Sequence, residues 1–219
     1  MAQLDNYTRF FGDFCNADYN LEEIKYYHSE LELLIGQQKN MLMLIEVDLE
    51  SNPDLYNKKF HFEHTISQNL RNSVIVRLVT FLEIEVQSFC VNLQSAYSLE
   101  VNYKDFKGTI LEQFEIYTNK ICSLEIDFSS SVYETIKEII ELRNCIVHYD
   151  RRIEDFYDKK FNKVELIQSI SRKIPSVTIK DNGFIELDFN ACNEIILIVE
   201  KFIKMIYSCI REKLPNDQK

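Results

Sequence analysis

The chain has 219 residues, is 46% hydrophobic and 27% charged, and contains only four glycines, three prolines and no tryptophan. That length can bury a real core, and so few helix breakers argue against a many-stranded fold. A formal net charge of −10 excludes attraction to polyphosphates through bulk charge, so any nucleic acid contact needs a locally basic surface.

In chain order, the opening MAQLDNYTRFFGDF lacks a basic stretch followed by an apolar run, so it does not read as a signal peptide. A first long helix is expected from about residue 20 to residue 50. Leu21, Ile24, Tyr27, Leu31, Leu34 and Ile35, then Leu42, Ile45 and Leu49, recur near a 3.6-residue period. Asn20 with Glu23 makes a capping-box pattern at its start, and Ser51-Asn52-Pro53 is expected to end it. His28 is expected to be partly exposed. His61 and His64, in HFEH, have a spacing that can hold a metal, but no third ligand is evident, so a surface role is expected.

A second long helix is predicted over about 65–97, striped by Ile66, Leu70, Val74, Leu78, Phe81, Leu82, Val86, Phe89 and Leu93. Glu83 and Glu85 interrupt the stripe; one is expected to face solvent. A third helix is expected over 106–121. A fourth runs from Ser130 to about His148, with Ser130 or Ser131 as cap and Glu134 in the first turn. The segment 154–171 is weakly patterned but helical, and Pro175 closes it. Val177-Thr178-Ile179 and Phe184-Ile185-Glu186-Leu187 flank Lys180-Asp181-Asn182-Gly183, a hairpin signal in which Asn-Gly supplies the positive φ angles of a tight turn. The hairpin covers about 176–188, and a terminal helix covers about 189–213. The expectation is one all-α domain over 1–219, an antiparallel helical bundle with a small C-terminal β-hairpin.

No apolar run approaches the ~20 residues that cross a bilayer. The six cysteines are scattered without a CxxC pair, which suits reduced core thiols in a cytoplasmic protein. Neither a metal site nor a cofactor is expected.

The fourth helix carries the chemistry. Among Ile139, Ile140, Leu142, Ile146 and Val147 it places Arg143, Asn144 and His148. Residues four apart lie roughly 40° apart around the axis, so Asn144 and His148 share a face. Arg143 lies nearer the side, with a stem long enough to bring its guanidinium round. Imidazole moves protons near neutral pH, guanidinium pairs with phosphate through two parallel hydrogen bonds, and asparagine orients either without adding charge. This set suits phosphodiester chemistry in which an RNA 2′-hydroxyl attacks its own phosphate, with no metal required. The other reading is that the histidine merely ends an apolar helix. LRNSVIV at Leu70–Val76 nearly repeats LRNCIVH at Leu142–His148 but ends in valine, so the Arg-Asn pair alone is not diagnostic.

LRNCIVHYD resembles the R-N-x-x-x-H signature of the HEPN superfamily: an arginine, usually a polar residue next, then four to six positions to a histidine. Arg143, Asn144 and His148 fill all three places. The order of elements agrees: long helices including RLVTFLEIEVQSF, the motif late in a helix, a variable insertion and a terminal helix. The resemblance implies an all-α, metal-independent endoribonuclease with these three residues as its catalytic set. It also implies a toxin or anti-phage effector kept in check by an antitoxin or other regulatory protein. Cleavage by internal attack benefits from both a base and an acid, and one motif supplies a single imidazole. A two-fold homodimer would supply two, as the resemblance also implies. After the motif, Arg151, Arg152, Lys159 and Lys160, interleaved with Tyr149, Phe156, Tyr157 and Phe161, form a candidate RNA-binding track or an ordinary solvated face. Glu83 and Asp150 are candidate braces for the motif. The alternative function is a non-catalytic HEPN-like module that binds a nucleotide or a protein partner.

Overall fold

A computed structural model describes residues 2–44, 53–153 and 163–213. The fold is an all-α bundle with one small antiparallel hairpin near its C-terminus. The elements are α1 (Ala2–Leu44), α2 (Pro53–His61), which continues into a π turn over Phe62–Ile66, and α3 (Ser67–Ala96). A 3-10 turn (Tyr103–Asp105) precedes α4 (Ile110–Glu115) and its π extension Ile116–Ile121. Then come α5 (Ser131–Tyr149), α6 (Lys163–Lys173), β1 (Val177–Ile179), β2 (Ile185–Leu187) and α7 (Phe189–Lys213).

These elements form two compact units. The first comprises Met1–Glu22, Leu78–Lys137 and Leu197–Lys219; the second comprises Glu23–Arg77 and Glu138–Ile196. The first unit is organised by aromatic rings. Phe89 meets Phe114 edge-on at 5.8 Å, Phe114 meets Phe128 at 5.7 Å, and Tyr133 stacks on Phe202 at 5.9 Å. Such pairs each add about 0.5–1.5 kcal/mol beyond their burial. Its α4 starts at Thr109, whose hydroxyl and the Glu112 carboxylate bond each other's backbone N–H in a capping box. Glu85 is buried here beside Asp13, Asn20 and Tyr207, and burial, reinforced by the Asp13 charge, raises its pKa. Glu83 is half-buried. Neither stripe-breaking glutamate is fully solvated, against expectation: polar neighbours on other elements receive Glu85.

In the second unit the hairpin joins β1 to β2 in the register Val177–Leu187, Thr178–Glu186 and Ile179–Ile185. The expected tight turn is present, but Gly183 and not Asn182 takes the positive φ. Lys180 N–H donates to Phe184 O at 2.9 Å, Gly183 N–H donates to Lys180 O at 2.9 Å, and Gly183 carries the positive φ of 75°. This is a three-residue loop in which glycine alone adopts the left-handed position. α3 satisfies the backbone of β2: the Gln68 amide donates to Leu187 O at 2.9 Å and accepts from Leu187 N–H at 3.0 Å. A buried side chain thus stands in for one residue of a further strand. Asp188 then caps α7, its Oδ1 accepting from Asn190 and Ala191 N–H.

Three local expectations need correction. α1 begins well before Asn20, which therefore lies inside the helix; Phe10 and Ala17 are buried and extend the stripe upstream of Leu21. The predicted helix end at Ser51-Asn52 falls outside the described residues, and Pro53 opens α2, where its missing N–H costs nothing. The α1 stripe is also phased differently. Leu21, Ile24, His28, Leu31 and Ile35 are buried, His28 at 2% exposure, while Leu34 is 53% exposed. Tyr27 is half-buried, with its hydroxyl 3.1 Å from Ser73 Oγ and Arg77 over its ring.

Candidate functional site

α5 starts on Ser130, whose Oγ accepts from Tyr133 N–H at 3.3 Å. From Glu138 onward the helix belongs to the second unit. Glu138 is buried and accepts from Ser169 Oγ and Lys173 Nζ, each at 2.7 Å, which fastens α5 to α6. Leu142 and Cys145 turn inward, and burial pushes the Cys145 thiol up to about 12. Within the same last two turns, Arg143 and Asn144 are half-buried, while Val147 and His148 are exposed. Asn144 and His148 thus share a face, as their spacing requires. Arg143 points from a position roughly 140° round the axis from His148. The His148 ring meets the Tyr149 ring edge-on, with centroids 6.5 Å apart.

The chain leaves this helix in an unusual way. Asp150 and Arg151 follow each other at φ 46° and 66°, a left-handed pair without glycine that costs about 1–2 kcal/mol per residue. Such geometry persists only where neighbours over-determine it, and here the hairpin does so. Arg151 N–H returns to Cys145 O at 3.2 Å and Arg152 N–H to Tyr149 O at 2.8 Å. Ile153 N–H donates to Gly183 O, and Ile185 N–H to Arg151 O, both at 3.0 Å, around an antiparallel bridge between Arg152 and Phe184. Ile153 is buried beneath this junction. The guanidinium of Arg152 lies 4.9 Å from the Phe184 ring centroid and that of Arg151 lies 5.9 Å from it. Of the expected RNA track, Arg152 is exposed and Arg151 half-buried. Lys159 and Lys160 lie outside the described residues, as do Phe156, Tyr157 and Phe161. Asp150 is exposed at the turn, and Glu83 belongs to the first unit.

The second Arg-Asn pair has a different fate. Arg71 Nε and Nη2 donate to the two Glu32 oxygens at 2.6 and 2.9 Å, and Nη1 donates to Leu187 O at 3.0 Å. Asn72 is buried, and Cys192 Sγ lies 3.7 Å from Arg71 O. Its hydrogen bond to Glu32 holds the guanidinium firmly in the charged form. His28 borders this ion pair and tilts against Phe189 at 6.3 Å, its ring nitrogens buried without a hydrogen-bond partner. Burial lowers the His28 pKa, opposed by the Glu32 charge and assisted by that of Arg71. The expectation of a partly exposed His28 is therefore overturned. Its spacing from Ile24 and Leu31 already marked a stripe position. His61 and His64 are exposed, with the His64 ring 4.7 Å from that of Phe60.

No family model, no curated protein and no solved structure matches this chain. Its functional reading rests on its own residues. Sequence reasoning missed Phe184 and Glu138. Phe184 was visible only as a strand residue, and Glu138 only as a charge within an apolar stripe.

Proposed function

We propose that the protein is a metal-independent endoribonuclease of the HEPN type, a cytoplasmic toxin or anti-phage effector that works as a homodimer. The observation that carries this reading is the exposed imidazole of His148, one turn beyond Asn144 and next to the end of α5. An imidazole in that position is open to a strand of RNA. In the proposed reaction His148 takes the proton of a 2′-hydroxyl, whose oxygen attacks the adjacent phosphorus. The P–O5′ bond breaks, and the leaving oxygen takes a proton from the imidazolium of the second copy's His148. Arg143 offsets the charge that builds on the phosphoryl oxygens, and Asn144 orients the pair. Val147, 48% exposed beside His148, supports the assembly, because a second copy of this face would cover it. The rival reading, a helical module without catalysis, draws on the half-burial of Arg143 and Asn144.

The test is cleavage of single-stranded RNA by purified protein in excess EDTA. Products ending in a 2′,3′-cyclic phosphate and a 5′-hydroxyl are expected, and a substrate with a 2′-deoxy sugar at the cut site should resist. Loss of activity on chelation, or equal cutting of the deoxy substrate, would reject this mechanism. Sedimentation giving a monomer at every concentration would reject the dimer.

A further inference from the structure

His28 is buried at a cost that packing alone does not explain. It is only 2% exposed, and both of its ring nitrogens lack a hydrogen-bond partner among the described residues. A neutral imidazole carries one N–H donor and one bare acceptor, so leaving both unpaired in the interior is unfavourable. Its cover is thin: the Phe189 ring, 6.3 Å away, is itself 53% exposed. We infer that His28 is an acid-operated latch, which on taking a proton releases the junction 187–189 between β2 and α7 from α1 and α3 while the rest of the second unit stays folded. The device is independent of the ribonuclease chemistry.

The charges around the ring show why a proton has this effect. Glu32, one turn further along α1, favours an imidazolium, while burial and the Arg71 charge on α3 oppose it. Both Glu32 oxygens are already taken by Arg71, whose Nη1 also holds Leu187 O at 3.0 Å. At the start of α7, Asp188 and Cys192 act on Arg71, and burial pushes the Cys192 thiol up to about 12, so it stays neutral. A proton on His28 therefore places a second cation beside one carboxylate. If Glu32 turns to the imidazolium, Arg71 loses its anchor and with it the hold on Leu187 O. If the ring moves out to water instead, it displaces Phe189, the first residue of α7. Both routes loosen the same three residues. The ordinary value of 6.5 applies to the hydrated ring of the released junction, and burial holds the seated ring below it. The seated form is thus fully favoured above about 6.5 and loses ground as pH falls below it, by at most about ten-fold per pH unit for one proton.

Hydrogen exchange of the full chain, followed residue by residue by NMR from about pH 7.5 to about pH 5 and corrected for intrinsic rates, tests this. The amides of Leu187, Asn190 and Ala191, which donate to Gln68 Oε1 and Asp188 Oδ1, should open far more often than that of Ile75 in buried α3. Their opening should hardly respond to low urea, because little surface is exposed, whereas Ile75 should respond steeply. It should also rise as pH drops below about 6.5, by up to about ten-fold per unit, and His28→Leu should remove that rise. Phe189→Ala, at an exposed position that does not test folding, should wet the ring. In the parent, the carbon-13 signals of the imidazoles should show His28 titrating below exposed His61 and His64. In Phe189→Ala its titration should move up toward theirs. Junction amides that match Ile75 in protection and urea response, or whose opening ignores pH, would overturn the inference. So would a pH-dependent opening that survives His28→Leu, a parental His28 that titrates with His61, or a His28 titration unmoved by Phe189→Ala.

Discussion

The two Leu-Arg-Asn stretches are nearly the same in sequence and opposite in use. In α3, Arg71 is closed on all sides: Glu32 takes two of its donors and Leu187 O takes another, while Asn72 is buried and Val76 stands where the other copy has histidine. In α5, Arg143 and Asn144 are half-buried and lead to an exposed His148 and a turn braced by the hairpin. An arginine and an asparagine on a helix do not make a site by themselves. What matters is which partners the surrounding elements bring to them, and whether the helix goes on to an exposed histidine.

The comparison can be broken most sharply at the histidine. On the proposed mechanism His148→Ala should lower the cleavage rate by about 10²- to 10⁴-fold through loss of proton transfer. Val76→His gives α3 the same Arg-Asn-x-x-x-His spacing, yet placing it in the His148→Ala chain should restore nothing. Initial rates on a defined RNA read both, and recovery by Val76→His would show that spacing alone suffices.

Arg71→Ala should act on the fold instead. Removing one member of a pair whose side chains are only 14% and 6% exposed strands the Glu32 carboxylate, at about 3–5 kcal/mol. Denaturant unfolding should show this loss, and the fraction still folded should cut RNA at the parental rate. A stable Arg71→Ala protein with impaired chemistry would reverse the roles assigned to the two copies.

A smaller effect belongs to His28. Its folded pKa lies below the ordinary 6.5, mainly through burial, so the unfolded chain takes up the proton first as pH falls. Its contribution is complete above about 6.5 and is lost as pH drops below that value toward the depressed one. Thermal midpoints of the parent should decline over this window, and those of His28→Leu should decline less. Identical curves would remove His28 as the cause.

The smallest effect is expected at the hairpin tip. Gly183→Ala forces a side chain into φ 75° and should cost about 1 kcal/mol. Because Gly183 O receives Ile153 N–H, hydrogen exchange should quicken at Ile153 as well as within the loop. Protection unchanged at Ile153 would separate the hairpin from the end of α5.

Much of the architecture was legible in the chain because local rules were enough. The α7 limits follow from Asp188 as cap and from an unbroken stripe through Ile196, Val199, Ile203 and Ile210. β1 and β2 follow from alternation around a Gly-containing loop, and the start of α5 follows from Ser130 as cap. The phase of α1 was harder. Tyr27 and His28, like Leu34 and Ile35, are adjacent residues that both fit a helical period, and only the packing of the other helices chooses between them. In the hairpin loop Asn-Gly marks the turn, but the sequence does not say that only Gly183 takes the left-handed position.

Sequence alone therefore determined most of the elements, though neither the start of α1 nor α2, since capping, periodicity and turn chemistry act over a few neighbours, and it located one Arg-Asn pair followed by histidine. Only the tertiary structure decided which Arg-Asn pair is locked away, that Glu85 and His28 are buried, and that Phe184 lies under Arg151 and Arg152. Those outcomes depend on partners far along the chain, Glu32 for Arg71 and Phe184 for Arg152. No pattern within one helix encodes a partner brought there by the folding of another.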